Sequence, residues 1–308
     1  MVLTPPSELP RPPRRVLFIA NKEARRGAGG SAALDLLQAA GIDVAEGRCG
    51  HRDEMQALVR EHRDAIDAVV VAGGDGSMNA AAAGLIETGL PLGIIPMGTA
   101  NDLARTLGVP TELPDAVATI AAGNVRAIDV GTANDRHFFN VASIGLSVRI
   151  AEAVDGKAKQ RFGALAYAVK AAQLASRARS FTAELIHDGK RHKVKTLQLS
   201  IGNGRYFGGG MAIAADAEPD DGFLDVCSIE REGLANLATL VPSLIAGTYH
   251  GRKGVRGFRT TQLTVRTRRP RPVDVDGDLL TSTPARFGVL RGAISVFVPA
   301  AEPPPTPA

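Results

Sequence analysis

Two glycine-bearing turns carry the strongest chemical signal in this chain. The first, Val69-Val-Val-Ala-Gly-Gly-Asp-Gly-Ser-Met-Asn79, runs from an apolar strand through Gly73-Gly74-Asp75-Gly76 into an alanine-rich stretch of helical spacing. Glycines let the backbone adopt positive φ and approach a ligand closely, and the N–H groups at a helix start point toward an anion, so this turn can cradle a phosphate. The same letters also make an ordinary strand-to-helix turn. The second, Gly93-Ile-Ile-Pro-Met-Gly-Thr-Ala-Asn-Asp-Leu-Ala-Arg105, falls one strand–helix unit later, and its Thr99, Asn101 and Asp102 are either ligand contacts or a helix cap. In a parallel sheet both turns would leave the carboxyl ends of their strands, the edge at which open α/β sheets bind ligands.

Spacing narrows the alternatives. No GxxxxGK[ST] run occurs, which excludes a Walker P-loop, and Asn79 stands where the dinucleotide fingerprint needs its third glycine. His-Arg-Asp at 51–53 and 62–64 has Leu58 and Val69 in place of the asparagine of a protein-kinase catalytic loop, so both are expected to be coincidences on a helix surface. Asp216-Ala-Glu-Pro-Asp-Asp-Gly-Phe-Leu-Asp225 sets oxygen donors around a tight turn, which suits either a hard cation such as Mg²⁺ or a solvated turn. Asp274-Val-Asp-Gly-Asp278 begins like a calcium loop, but Leu279 replaces its glycine and Ala285 its glutamate. What remains there is a strand end presenting carboxylates, one of which can act as a general base toward a hydroxyl.

The elements that must position these residues change character along the chain. Short β-branched runs at Val16–Ala20, Ile42–Ala45, Asp67–Ala72, Leu92–Pro96 and Ala127–Val130 alternate with helical segments centred on Leu36, Leu58, Ala82 and Leu103 and one over Pro114–Ala121. That order predicts a parallel sheet with helices on both faces. Past Gly131, strands at Phe138–Ala142, Phe181–His187, Lys193–Ile201 and Phe223–Ile229 succeed one another, interrupted by helical stretches Ala158–Arg179 and Gly233–Gly247. An antiparallel second domain is expected. The 308 residues of the chain suit two domains, and its charge of +4 is too weak to argue for nucleic acid, which is not expected as a partner. Only Cys49 and Cys227 are present, which excludes a disulfide framework and suits a reducing compartment. With no leader and no run of 18 apolar residues, a cytoplasmic protein that visits a membrane surface is expected.

The letters resemble a known family. GGDGSMN at 73–79, PMGTANDLAR at 96–105, Ile128-Asp-Val-Gly131, Phe138-Phe-Asn-Val-Ala142, Gly202-Asn-Gly-Arg-Tyr-Phe-Gly-Gly-Gly210, Asp220-Asp-Gly222 and Asp276-Gly-Asp278 occur in the order seen in the soluble diacylglycerol kinase family of bacterial lipid kinases and eukaryotic diacylglycerol and sphingosine kinase catalytic domains. The likeness covers nearly everything between residues 14 and 298. It implies a phosphofructokinase-like α/β domain over 14–131 with 291–300, an antiparallel β-sandwich over 132–290, and ATP in the cleft between them, with Pro-rich tails at 1–13 and 301–308.

By matching motif positions, the resemblance implies an ATP-dependent lipid kinase. Gly73, Gly74, Asp75, Gly76, Ser77, Met78, Asn79, Thr99 and Asn101 would hold the nucleotide, Asp75 and Asp102 would organise Mg²⁺-ATP, and Asp129 would support them. A structural Mg²⁺ would fall to Asp221 with the carbonyls of Glu218 and Phe223, and Asp278 would be the proton acceptor. Three positions depart from the pattern: Ser77 stands for threonine, Ala80 for glutamate, and Asp278 for the catalytic glutamate, which shortens its reach by about 1.5 Å. The helix at 233–247, followed by Arg252, Lys253, Arg256 and Arg259 and then Arg266, Arg268, Arg269 and Arg271, would make transient peripheral contact with an anionic membrane. A homodimer is compatible with this picture. The rival readings are an NAD or sugar-phosphate kinase of the same superfamily and a nucleotide-binding protein with weak catalysis.

Overall fold

A computed structural model describes residues 11–20, 29–146, 179–230, 246–248 and 253–300. The helices expected over 158–179 and 233–247 lie outside the described residues almost entirely. The chain divides into two compact units at Ile128/Asp129 and again at Arg291/Gly292.

The first unit is built on strands β1 (Arg15–Ala20), β2 (Asp43–Gly47), β3 (Ala68–Gly73) and β4 (Leu92–Pro96). They lie in the order β2-β1-β3-β4, all parallel, with Val296 near the end of the chain beside Leu92. Every residue of β3 and β4 is buried, as expected of strands covered on both faces, and this explains why both are unbroken apolar runs in the sequence. Helices α1 (Gly29–Ala39), α2 (Arg52–His62), α3 (Asp75–Thr88), α4 (Asp102–Thr106) and α5 (Leu113–Ala122) supply the crossovers. One core gathers Val16, Phe18, Leu37, Val70, Ile95 and Ile120 from these layers.

The second unit is antiparallel. Between β5 (Val125–Ala133), which crosses into it from the first, and β17 (Ala285–Phe297), which leaves it, run β6 (Arg136–Phe138), β7 (Val141–Gly145), β8 (Phe181–His187), β9 (Lys190–Gly202) and β12 (Leu224–Glu230). Short β10 (Tyr206–Phe207) and β11 (Met211–Ala212) form a ribbon of their own, and β13 (Val255–Thr260), β14 (Gln262–Thr267), β15 (Pro272–Val275) and β16 (Asp278–Ser282) complete the set. The long β9 pairs with β8 along its first half and with β7 and β12 on its two edges along its second. The fold is thus an α/β unit joined to an antiparallel β-sandwich-like unit, as the sequence led us to expect.

The expected strand Phe138–Ala142 is in fact two. Phe139 and Asn140 are left out of the ladder because their N–H groups are taken by a side chain, described below. Phe138 itself is fully buried opposite Gly131, where a Cβ would come within 2.3 Å of the ring. The glycine of the Ile128-Asp-Val-Gly131 motif therefore makes room for this aromatic. Phe138→Ala should lower stability by about 3 to 5 kcal/mol, the usual cost of emptying a buried phenylalanine site, read as a lower denaturant midpoint in chemical unfolding.

Candidate active site

In the first unit the two glycine turns lie side by side because β3 and β4 pair with Gly73 opposite Pro96. They are in contact: a Cβ on Gly98 would stand 2.5 Å from the Cα of Gly74, and a Cβ on Gly74 would stand 3.1 Å from the Cα of Gly98. Only glycine permits that approach. Gly74 is the N-cap of α3, so Asp75, Gly76 and Ser77 present its first turn, and a Cβ on Gly76 would meet nothing within 4 Å. The helix start therefore faces open space, with a macrodipole that favours an anion there.

Asp75 joins the two turns. Its carboxylate accepts the N–H of Asp102 at 3.1 Å and that of Leu103 at 3.0 Å, capping α4 from a distant part of the chain. Asn101, the N-cap residue of α4, makes no cap of its own; it sits at φ 50° and closes its own turn, accepting from the Gly98 N–H and donating to the Gly98 carbonyl, both at 2.9 Å. Asp102 is buried at 3% exposure, with the Arg105 guanidinium 3.7 Å from Oδ1. Thr99 is exposed at the tip of the turn and Ser77 is half-buried.

Met78 and Asn79 lie behind this surface. Both are buried, and Asn79 holds Arg52 of α2 through its side-chain Oδ1 and, at 3.0 Å, its carbonyl. Arg52 is thus more than a helix-surface coincidence: it is part-buried and ties α2 to the turn of α3 that follows the glycines. The partner of Asn79 was not legible because it stands 27 residues away.

A cavity of about 790 Å³ lined by Arg14, Ile42, Asp67 and Pro91 lies at the amino ends of the strands, where the Asp67 carboxylate takes the Arg14 and Arg15 N–H groups. It is at the opposite strand ends from the glycine turns. A smaller hollow of about 350 Å³, bordered by Phe18, Ser31, Glu46 and Arg48, lies instead at the carboxyl ends of β1 and β2, on the glycine side.

In the second unit the motif segments form one hydrogen-bonded network. Asp276 and Gly277 are the central residues of the two-residue turn joining β15 to β16, at φ 50° and 97°, the conformation that Asp-Gly favours in hairpins. The Asp276 carboxylate accepts the N–H groups of Phe139 at 2.8 Å and of Asn140 and Val141 at 3.0 Å. Asn203 bonds the carbonyls of Asp129 and Phe139 through Nδ2, at 3.0 and 3.1 Å. Asp129 is buried; its N–H reaches the Pro219 carbonyl and its carboxylate takes the Gly222 N–H at 2.6 Å. Asp276 and Asn203 are residues to which sequence reasoning gave no role, although both stand inside motifs it had singled out.

The hairpin carries two further carboxyls. Asp278 begins β16 and is exposed. Asp274 is buried, and burial pushes its carboxyl up to about 6; the Gly277 N–H at 3.0 Å works against this rise and the Asp278 charge adds to it. Elsewhere in this unit, Asp221 accepts the N–H groups of Phe223 at 2.9 Å and Glu218 at 3.4 Å and is paired with Arg259. Among the described residues no cluster of three or more acidic, histidine or cysteine side chains forms a ready-made metal cage.

Residues 15–133 match the diacylglycerol kinase catalytic domain, and residues 140–298 match the YegS C-terminal NAD kinase beta sandwich-like domain. The chain belongs to the diacylglycerol kinase family of ATP-dependent lipid kinases. It is 30% identical over 242 residues to a protein of Yersinia enterocolitica named "Probable lipid kinase YegS-like", covering 76% of this chain and 80% of that protein. It is 28% identical over 235 residues to a diacylglycerol kinase of Staphylococcus saprophyticus, covering 76% and 77%. Against an uncharacterized protein of Synechocystis it is 29% identical over 239 residues, but the match spans only about half, 54%, of that relative. The crystal structure of a diacylglycerol kinase from Bacillus anthracis superposes with a TM-score of 0.79 at 26% identity, covering 94% of this chain and 98% of that one.

Two outcomes follow for this lipid kinase. Gly98→Ala forces the turns apart and should cost about 1 to 3 kcal/mol of stability, measured by chemical unfolding. Asp274 holds its proton to about pH 6 when folded and to only 3.8 as an ordinary carboxyl. Its contribution to stability is therefore complete below about pH 4 and lost as pH rises through 6, by up to about 3 kcal/mol. Asp274→Asn stays neutral, so its stability should gain on that of the wild type across this window, as followed by guanidinium unfolding at several pH values.

Proposed function

We propose that this chain transfers the γ-phosphoryl group of ATP to the hydroxyl of a diacylglycerol-like or sphingoid lipid, with Mg²⁺ as counter-cation. The observation that carries the reading is the close contact of Gly74 with Gly98, which sets two phosphate-binding turns edge to edge at the start of α3. Phosphoryl transfer asks a protein mainly for positioning and charge neutralisation, and this surface suits both. In this reading the N–H groups of Gly74 to Ser77 and the hydroxyls of Ser77 and Thr99 bind the triphosphate. Asn101 shapes the second turn, while Gly73, Met78 and Asn79 support the first from behind.

Mg²⁺ bound with ATP would neutralise charge building up on the phosphates, and the carboxylates of Asp75 and Asp102 are the hard oxygen donors that suit it. Such ions commonly sit on one or two carboxylates plus substrate phosphates, which fits the lack of a protein-only cage among the described residues. Asp75 keeps lone pairs beyond those given to Asp102 and Leu103. Asp129 acts at one remove, holding the segments at 139 and 222 in register.

Asp278 is the assigned base. As the lipid hydroxyl oxygen bonds to the γ-phosphorus and the bond to the ADP oxygen breaks, the hydroxyl proton passes to the Asp278 carboxylate. The Asp276 clamp fixes the hairpin that carries it, and a pinned hairpin is what a shortened side chain requires.

No described helix is long and apolar enough to cross a membrane, so we propose peripheral contact with the bilayer that holds the lipid. The basic stretch divides in two, with Arg252 lying outside the described residues. Arg256 pairs with Glu230, Arg259 with Asp221 and Asp225, and Arg271 stacks over the Phe181 ring, whereas Lys253, Arg266, Arg268 and Arg269 are exposed. The latter four are the residues proposed to face anionic headgroups.

A panel of lipid alcohols, NAD and sugar phosphates incubated with labelled ATP tests the reading, with label expected in a lipid product alone. Asp278→Asn should bind ATP as the wild type does and lose about a hundredfold or more in turnover, the contribution of a general base. Near-normal turnover in that variant would remove the assignment.

A further inference from the structure

The resemblance assigns a structural Mg²⁺ to the turn at 218–223, on Asp221 and two carbonyls. In this chain a guanidinium already stands against that carboxylate. Arg259 pairs through Nη2 with Asp221 Oδ2 and places Nε 3.2 Å from Asp225 Oδ1, with its carbon 5.0 Å over the Phe223 ring. It is held there by the sheet, since Arg259 of β13 lies directly opposite Asp225 of β12. Asp221 meanwhile accepts the N–H groups of Phe223 and Glu218. A carboxylate so engaged does not fit Mg²⁺, which demands near-octahedral oxygen ligands and would have to sit beside a like charge.

We infer that Arg259 is the cation of this turn: its guanidinium joins Asp221 and Asp225 and does the bridging that a divalent ion would do, so the turn is held without a metal of its own. The charge is covalently tethered and cannot be chelated. The fork geometry of arginine lets one side chain reach carboxylates on two segments, which a lysine ammonium does less well. The inference concerns the turn alone and stands apart from the proposed lipid chemistry and from any ion that accompanies ATP.

Thermal unfolding of the full-length, nucleotide-free protein in millimolar MgCl₂ and in EDTA is the direct test. The same midpoint in both is expected, within about 1 °C, a shift equivalent to only a few tenths of a kcal/mol in a chain of this size. A rise with Mg²⁺ that disappears in Asp221→Asn would overturn the inference. A rise that persists undiminished in Asp221→Asn supports it, because the ion then acts elsewhere. Arg259→Ala should lower the EDTA midpoint by about 5 °C or more, with Arg259→Lys in between; an Arg259→Ala midpoint equal to that of the wild type would also overturn it. Should Arg259→Ala fail to fold, the comparison on the wild-type chain still decides.

Discussion

The carboxylate of Asp75 is the tie on which the paired glycine turns depend. Helix α4 has five residues, far below the length at which a helix is stable alone, and its own N-cap side chain is committed to closing the turn at Gly98. Its free N–H groups at Asp102 and Leu103 are satisfied instead by Asp75, the first residue of α3. The bond is local in space and remote in sequence. It makes the two turns one object, so that the second has its shape already set beside the first. A free-standing pair of glycine loops would have to be ordered by the ligand at an entropic cost.

The second unit follows the same design with different atoms. The backbone N–H groups of Phe139 and Asn140, left out of strand pairing, and that of Val141 at the start of β7 go to Asp276, and carbonyls at 129 and 139 go to Asn203. Buried polar backbone without partners is costly, so the interruption at 139–140 has a side chain assigned to it. The breaks in the ladder are what turn the motif segments toward one another, and the side chains that fill them keep those segments from drifting.

How much of this the letters revealed depended on the distance between partners. The parallel half was legible because strands buried on both faces are continuous apolar runs, and Leu92–Pro96 has the bounds expected of it. Strands β13 and β14 went unnoticed, and of β15 and β16 only the strand end at the acidic turn was read: β13 and β14 are short, with Arg and Thr spread through them, as in Gln262–Thr267, where only two of six residues are buried. Motifs gave the site residues by type, but their work lay in contacts no local pattern encodes. Asp75 was marked for a metal and is also a cap; Arg52 was dismissed and holds Asn79; Asp276 was quoted within a motif and bonds a segment more than a hundred residues away. The acidic turn at 216–225 read by itself more as a solvated turn than as a cation site, and the guanidinium against it comes from a strand 38 residues on.

The five residues from 274 to 278 hold the same functional group three times, in three different trades. One carboxyl is sequestered and inclined to keep its proton, the next is saturated by amide donors, and the last stands in water. Chemistry here is allotted by address rather than by kind. An enzyme engineer who transplanted this acidic pentapeptide to another scaffold would carry over its formula and leave its division of labour behind, because that division is written in the peptide groups of a neighbouring strand.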